Sequence, residues 1–157
     1  MTNRLIRIFI FLFVFFFFTG NLLKAQDDWW KDKKFKDDKQ KAKYTLCKKT
    51  LKDIAYGFSY QNISYINKYF GSEVYLNVIS NDRGYYSSNQ AELILTDFMD
   101  YFKVVSFKYK HSYLKNSFAF AMGKYIYDRG GGKRELNASI SLKYEDDVWI
   151  IDQININ

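Results

Sequence analysis

Asp152 is the residue of this sequence whose type and surroundings best fit acid–base chemistry. It lies between Ile151 and Ile154 in an apolar segment near the end of the chain. A carboxylate held in an apolar pocket can act as a base, because burial shifts its pKa. The same side chain can instead point outward into water, and this second orientation is the favoured one. Asp152 is therefore a candidate catalytic base only under an alternative, enzymatic interpretation.

The other reactive side chains offer little further chemistry. His111 is the only histidine and follows Lys110 at the end of an alternating segment, a pattern typical of a solvent-facing residue. Cys47 is the only cysteine, so no disulfide can form within one chain. Its place on a helical stripe predicts a small buried residue. Metal sites need clustered Cys, His or carboxylate ligands, and we expect neither a metal site nor a cofactor.

Tyrosine hydroxyls and a glycine run are the remaining candidates. Tyr109 and Tyr125 could bring a hydroxyl to the mouth of a cavity, although a strand tyrosine more often packs with its oxygen in water. The run Gly130–Gly132 precedes no helical pattern, and a phosphate cradle needs a helix N-terminus. We therefore expect a flexible hairpin loop at this run.

Helices would position the first of these residues. An apolar stripe recurs at helical spacing from Tyr44 onward, with Cys47, Leu51, Ile54 and Phe58 as its members. Residues that could cap two further helices follow at Asn62 or Ser64 and at Ser87 or Ser88. The inner face of the third helix is predicted to comprise Ala91, Leu95, Phe98 and Phe102.

Strands would position the rest, because apolar and polar residues alternate as they do in half-buried strands. One strand presents Val74, Leu76 and Val78, and a turn follows at residues 81–84. The next three strands carry their large apolar residues at 105, 107 and 109, at 118, 120 and 122, and at 136, 138, 140 and 142. In the last strand the phase changes at Asp152–Gln153, which predicts a β-bulge that bends the sheet.

This order of elements resembles a known fold. The segments 63–70, 73–78, 86–98 and 148–154 are similar to an uncharacterised family of small exported bacterial proteins with the nuclear-transport-factor-2-like fold, also called cystatin-like. The resemblance covers roughly residues 44–156. It implies an α+β cone in which N-terminal helices and a third helix pack on a strongly bent antiparallel sheet. It is nearly silent on chemistry, because enzymes, adaptors and inactive subunits share this fold.

The first 25 residues predict export. Arg4 and Arg7 precede an unbroken apolar run, Ile8–Phe18, and a signal peptidase could cut after Ala25. The run is shorter than the roughly 20 residues that a membrane-spanning helix needs, although an uncleaved anchor over residues 5–23 is the alternative. We therefore expect a signal peptide over residues 1–25 and a periplasmic or extracellular protein.

The rest of the chain divides by charge. Residues 26–43 alternate Asp and Lys and predict a charged leader, either a frayed helix or disordered, before a single domain over residues 44–157. The formal charge of +7 falls to +4 without Arg4, Arg7 and Lys24, and the whole surplus lies in residues 26–53. A domain without a basic field is a poor candidate for binding nucleic acid. The basic stretch 26–53 could instead contact an anionic surface.

We interpret the domain as a non-catalytic binding module for a small apolar ligand or a protein partner of the envelope. The wall between core and cavity would comprise Phe98, Phe102, Phe107, Tyr109, Phe120 and Leu142. A cone filled completely by these side chains fits the sequence equally well. Two further functions stay open at this point: an isomerase or hydratase that uses Asp152, and a structural or assembly subunit of an envelope complex. The resemblance also implies a homodimer that forms through the exposed face of the sheet.

Overall fold

The computed structural model describes residues 29–31, 33–35, 37–78 and 83–157. The predicted signal peptide lies outside the described residues, and so do residues 81–82 of the predicted turn at 81–84, whereas Arg83 and Gly84 begin a strand. No helix in the described part of the chain has the length and apolar character needed to cross a membrane.

The described residues form an α+β fold with one bent sheet, as the sequence predicts. The helices are α1 (Asp38–Ser59), α2 (Ser64–Asn67) and α3 (Ser88–Tyr101). The strands are β1 (Phe70–Val78), β2 (Arg83–Ser87), β3 (Val104–Lys115), β4 (Phe118–Arg129), β5 (Gly132–Glu145) and β6 (Val148–Ile156). They form a six-stranded sheet in the order β2-β1-β6-β5-β4-β3. Only the pair β1–β6 is parallel within this sheet.

Helix α1 begins earlier than its apolar stripe suggests. The carboxylate of Asp37 accepts a hydrogen bond from the backbone N–H of Lys39 at 3.0 Å and caps the helix N-terminus. The helix therefore begins at Asp38, inside the stretch that the sequence assigns to the charged leader. The predicted stripe is confirmed, because Cys47, Leu51, Ile54 and Phe58 are all fully buried.

Helix α3 is also capped as predicted. The side-chain oxygen of Gln90 accepts hydrogen bonds from the backbone N–H of Ser87 at 3.1 Å and from its hydroxyl at 3.0 Å. This capping-box arrangement fixes the start of the helix. Its inner face is Ala91, Leu95 and Phe98, and Phe102 is buried directly after the helix end.

Irregular pairing bends the sheet at its long strands. The register between β5 and β6 shifts between Ser141 and Leu142, which leaves Asp152 as the extra residue of β6. The predicted phase change at this position is confirmed. Strand β3 has two further irregularities against β4, one after Val104 and one after Tyr109. A bulge raises the local twist and bends the strand that carries it, so the bend is concentrated in β3 and β6.

Strand β4 corrects one prediction about the inner face. Ala119 and Ala121 are fully buried, whereas Phe120 lies on the opposite face and is only partly covered. The predicted inward orientation of Phe120 is wrong. The reason is space: β3 passes so close to Gly123 that an added Cβ would lie 2.2 Å from the carbonyl oxygen of Lys108. Small residues therefore occupy the inner side of β4 at the bend.

A cluster of polar contacts joins α1 to the start of the sheet. The carboxylate of Asp53 accepts hydrogen bonds from Tyr69 at 2.6 Å, Lys68 at 2.8 Å and Lys49 at 2.9 Å. Burial by itself raises the pKa of Asp53, but the hydrogen bonds from Lys68, Tyr69 and Lys49 outweigh it. They lower the pKa from its usual 3.8 to about 2.

Replacing Gly123 with alanine should destabilise the protein. The new Cβ would meet the backbone of β3, which cannot move without disturbing the bend. We expect the free energy of unfolding to fall by about 1–3 kcal/mol in denaturant titrations followed by circular dichroism. Gly132→Ala is the matched control, because the nearest atom to its added Cβ is 3.8 Å away. Equal effects of the two substitutions would contradict the close approach at Gly123.

The Asp53 cluster predicts a defined acid dependence of stability. The pKa of Asp53 is lower in the folded state than in the unfolded chain, so its contribution is complete above about pH 4 and is lost as the pH falls towards 2. Asp53→Asn should remove about 1–2 kcal/mol of stability at neutral pH after solvent screening, and should flatten the pH dependence between pH 4 and 2. Asp100→Asn, which changes an exposed carboxylate paired with Lys103, should leave that dependence unchanged.

Candidate functional site

Aromatic rings dominate the interior between the helices and the sheet. The ring of Phe58 on α1 stacks on Phe107 of β3 at 5.0 Å, and the ring of Phe98 on α3 lies 5.2 Å from Tyr125 of β4. Of the residues predicted to form the cavity wall, those in this interior are Phe98, Phe102, Phe107, Tyr109 and Leu142. The structure therefore brings all of them except Phe120 into one buried region.

Tyr125 is a structural member of this interior. Its hydroxyl donates a hydrogen bond to the backbone carbonyl of Phe102 at 2.6 Å, just after α3 ends. Burial raises the pKa of this hydroxyl, so it stays protonated and donates. Tyr125 therefore holds the end of α3 against the sheet, and the structure does not place it at a cavity mouth, the position that the sequence left open for it.

Tyr109 differs from Tyr125, because its buried hydroxyl has no hydrogen-bond partner among the described residues. The same is true of the hydroxyl of Thr50 on α1 and of the indole N–H of Trp30. All three side chains are buried, with exposed fractions of 7% for Tyr109, 0% for Thr50 and 5% for Trp30. Most buried polar atoms are paired in folded proteins, and the few that are not call for an explanation such as a ligand or an ordered water.

Two of the unpaired groups, those of Tyr109 and Trp30, lie around Trp29. Trp29 lies 4.9 Å from the ring of Tyr109 and 5.3 Å from Trp30, and Trp30 lies 4.9 Å from Tyr44. Tyr44, Cys47 and Thr50 follow one another at one-turn intervals on the buried side of α1. The Cys47 thiol on α1 raises the pKa of Tyr109 on β3 electrostatically, so these two side chains lie near each other. We call this region, made by α1, β3 and the two tryptophans, the donor pocket.

The donor pocket contains neutral groups. Burial raises the pKa of Tyr109 well above its usual value, and the nearby Cys47 raises it further. Burial also raises the pKa of the Cys47 thiol, against a smaller lowering by Lys43. Both groups therefore stay protonated at neutral pH. The pocket presents O–H, N–H and S–H groups to its contents and carries no thiolate nucleophile.

Sequence reasoning missed the burial of the two tryptophans. Trp29 and Trp30 lie in the stretch predicted to be a frayed or disordered leader, yet their exposed fractions are only 7% and 5%. One signal was available: two adjacent large aromatic residues interrupt a segment that otherwise alternates Asp and Lys. Such a pair is unexpected in a solvated leader, because the exposure of large aromatic side chains to water is unfavourable.

Asp152, a candidate base only under the alternative enzymatic interpretation, lies on the other side of the sheet, the orientation that the sequence favoured. Ile151 and Ile154 are both fully buried, and the two residues between them are half-buried, so Asp152 and Gln153 face away from the interior. His111 is exposed as expected, although it lies within β3 and not at the end of a strand. The structure therefore gives neither residue a place in the interior.

The glycine run and the search for metal ligands give simple results. Gly130 and Gly131 have φ values of 64° and 79° and form the exposed turn between β4 and β5, as the sequence predicts. Across the described ranges no group of three or more His, Cys, Asp or Glu side chains is arranged to hold a metal ion.

The family of the chain follows from its domain sequence. Residues 51–157 match the family described as "Domain of unknown function (DUF4783)". The chain belongs to this family. A DUF4783 family protein from Bacteroides uniformis shares 23% identity over 68% of this chain and 94% of its own, with a TM-score of 0.61. No curated protein sequence matches the chain.

More distant structures give the fold of this DUF4783 member. The hexachlorocyclohexane dehydrochlorinase LinA-type3 from Novosphingobium barchaimii is 14% identical over 77% of this chain and 89% of its own, with a TM-score of 0.58. A protein named Rd1NTF2_04 with long sheet is 12% identical over 70% of this chain and 98% of its own, also with a TM-score of 0.58. The predicted nuclear-transport-factor-2-like fold is confirmed.

The two interior tyrosines predict opposite effects on stability. Tyr125→Phe removes a paired hydroxyl and leaves the carbonyl of Phe102 without its donor, so the free energy of unfolding should fall by about 1–2 kcal/mol. Tyr109→Phe removes an unpaired buried hydroxyl and should leave stability unchanged or raise it. Denaturant titration of both variants without added ligand checks this. A loss in Tyr109→Phe equal to that in Tyr125→Phe would show that the Tyr109 hydroxyl is paired.

Proposed function

We propose that this protein is an exported, non-catalytic module that binds a small apolar ligand in the donor pocket. The observation that carries the proposal is the unpaired hydroxyl of Tyr109, a side chain buried between the rings of Trp29 and Phe107. Small-molecule sites combine a mostly apolar lining with a few polar groups that orient the ligand. The donor pocket has this composition.

A ligand would remove the free-energy cost of burying a polar group without a hydrogen-bond partner. A buried polar group without a hydrogen bond costs about 1–3 kcal/mol, and the penalty disappears when a partner is supplied. A ligand oxygen that accepts from Tyr109 would therefore gain affinity from that hydroxyl. The aromatic lining formed by Phe107, Trp29 and Trp30 would supply the apolar contact.

The fold is compatible with small apolar ligands. One structural neighbour is named a hexachlorocyclohexane dehydrochlorinase, and hexachlorocyclohexane is a small apolar molecule. Catalysis is a weaker interpretation for this chain, because the buried polar residues among those described are Thr50 and Ser141 and include no Asp, Glu, His, Lys or Arg. Asp152, the candidate base, lies outside the interior. These observations favour binding over an isomerase or hydratase reaction.

A protein partner is the second candidate, and the outer face of the sheet favours it. Tyr113, Phe118 and Met122 lie on neighbouring strands on the side away from the helices, with exposed fractions of 54%, 45% and 43%. Contiguous exposed apolar groups mark interaction surfaces. A second copy of the chain or an envelope protein would cover this face. The lysine-rich stretch 26–53 would remain available for an anionic surface.

Mass spectrometry tests the proposed function directly. Residues 26–157, purified from an exported expression, would be weighed under native and denaturing conditions. We expect a mass excess that disappears on denaturation, and we expect Tyr109→Phe to reduce the fraction of protein that carries it. Tyr113→Phe, on the outer face of the same strand, is the control and should retain the excess. An apo mass for the native protein, together with no binding of neutral aromatic ketones, would refute the proposal.

A further inference from the structure

We infer that Trp29 and Trp30, the tryptophan pair, occupy the place of the ligand in this structure and that a flat, neutral, apolar molecule with an acceptor oxygen displaces them. The inference rests on the proposed function and adds the class of ligand and the event that admits it. The tryptophan pair and the ligand would compete for the same site.

The tryptophan pair fills the donor pocket with aromatic rings from outside the main fold. Trp29 packs on Tyr109 of β3, and Trp30 packs on Tyr44 of α1. Both indoles are buried, although neither residue lies in a helix or a strand. The pair also lies outside residues 51–157, which match the family. A segment that precedes the family-matched residues therefore closes the pocket.

The closed arrangement is chemically incomplete. Trp30 brings an N–H that finds no acceptor, and the hydroxyl of Tyr109 has no partner. An indole N–H only donates, so it cannot accept the proton of this hydroxyl. A ligand oxygen can accept from Tyr109, and Trp30, once released, can donate to water. Displacement therefore relieves both unpaired groups.

The attachments of the pair to the sheet can break without disturbing the fold. The hydroxyl of Ser112 donates to the carbonyl of Trp29 at 2.6 Å, and the ammonium of Lys33 donates to the carbonyl of Leu114 at 3.1 Å. Both are side-chain bonds. Among the described residues, no backbone–backbone hydrogen bond joins the tryptophan pair to β3. Under the predicted cleavage after Ala25, the pair would also lie close to a free N-terminus.

The class of ligand follows from what surrounds the site. Trp29 packs on Tyr109 at a tilt of 50°, and Trp30 packs on Tyr44 at a tilt of 53°. An indole is itself flat and aromatic, so a flat aromatic molecule fits the place that it vacates. The buried polar groups are neutral donors, so the ligand needs an acceptor oxygen. No buried cation is found among the described residues that would balance a carboxylate. A neutral ketone fits better than the acid of the same shape.

A fluorine experiment on the mature chain follows the pair directly. The protein has three tryptophans, at 29, 30 and 149, so labelling with 5-fluorotryptophan gives three ¹⁹F signals. Single Trp→Phe variants would assign them. The probe is 2-acetylnaphthalene, a flat neutral ketone, and 2-naphthoate is its charged counterpart. We expect the ketone to move the Trp29 and Trp30 signals to solvent-exposed positions and to leave the buried Trp149 signal in place.

Affinities measured by calorimetry show whether the tryptophan pair competes with the ligand or forms part of its binding site. The variant Trp29→Ala/Trp30→Ala should bind 2-acetylnaphthalene at least about tenfold more tightly, because the ligand no longer competes with the indoles. Ser112→Ala, which removes one attachment of Trp29, should tighten binding a few-fold and serves if the double variant does not fold. Tyr109→Phe should weaken binding about tenfold. Tyr85→Phe, which changes an exposed residue of β2 at the opposite edge of the sheet from β3, is the control and should stay within about twofold of the unmodified protein.

The outcomes distinguish the two proposals. If the ketone binds and Tyr109→Phe weakens it, but the Trp29 and Trp30 signals stay in place or their removal weakens binding, the pair is a fixed wall and the inference is wrong. The proposed function would then still hold. If the ketone binds neither the unmodified protein nor the double variant, both proposals are wrong. Preference for 2-naphthoate over the ketone would overturn the assigned ligand class.

Discussion

The carbonyl oxygen of Lys108 lies so close to Gly123 that the neighbouring strand position can hold no side chain. This contact sets the sharpest part of the bend, where β3 folds over β4 next to the irregularity that follows Tyr109. A flat sheet would present β3 to solvent. The bent sheet instead brings the ring of Tyr109 over the helices, so the interior and the donor pocket depend on a residue that contributes no side chain of its own.

The bend also decides how firmly the tryptophan pair is held. Two tryptophan side chains bury about 400 Å² together, which contributes about 10 kcal/mol at about 25 cal/mol per Å². Ordering the chain from Trp29 to Phe35 costs about 1.5 kcal/mol per residue, or about 10 kcal/mol in all. The two terms nearly cancel. A segment that closes the interior with so small a net gain can respond to a competitor, whereas strands paired through full backbone ladders cannot.

The sequence was sufficient to predict most of the fold, because the period and phase of its apolar residues indicate the helices, the strands and the faces that they bury. The stripe on α1, the Ser87 cap and the slip at Asp152 were all readable from local pattern. The orientation of Phe120 could not be predicted, because β4 alternates large and small apolar residues and hydrophobicity alone would place the large ones inside. The contact that reverses this choice joins Lys108 to Gly123 on another strand. The unpaired hydroxyls were unreadable for the same reason: a missing partner is a property of tertiary packing, not of any segment.

The donor pocket divides between the shared domain and the segment before it. Tyr109 lies within residues 51–157, the part that matches the family, whereas Cys47 and the tryptophan pair precede it. The matched part therefore supplies the bent sheet and one hydroxyl, and the segment before it supplies the rings that cover this hydroxyl. Under the proposed function, a difference in the residues before position 51 would change the ligand preference while the bend at Gly123 kept the fold unchanged.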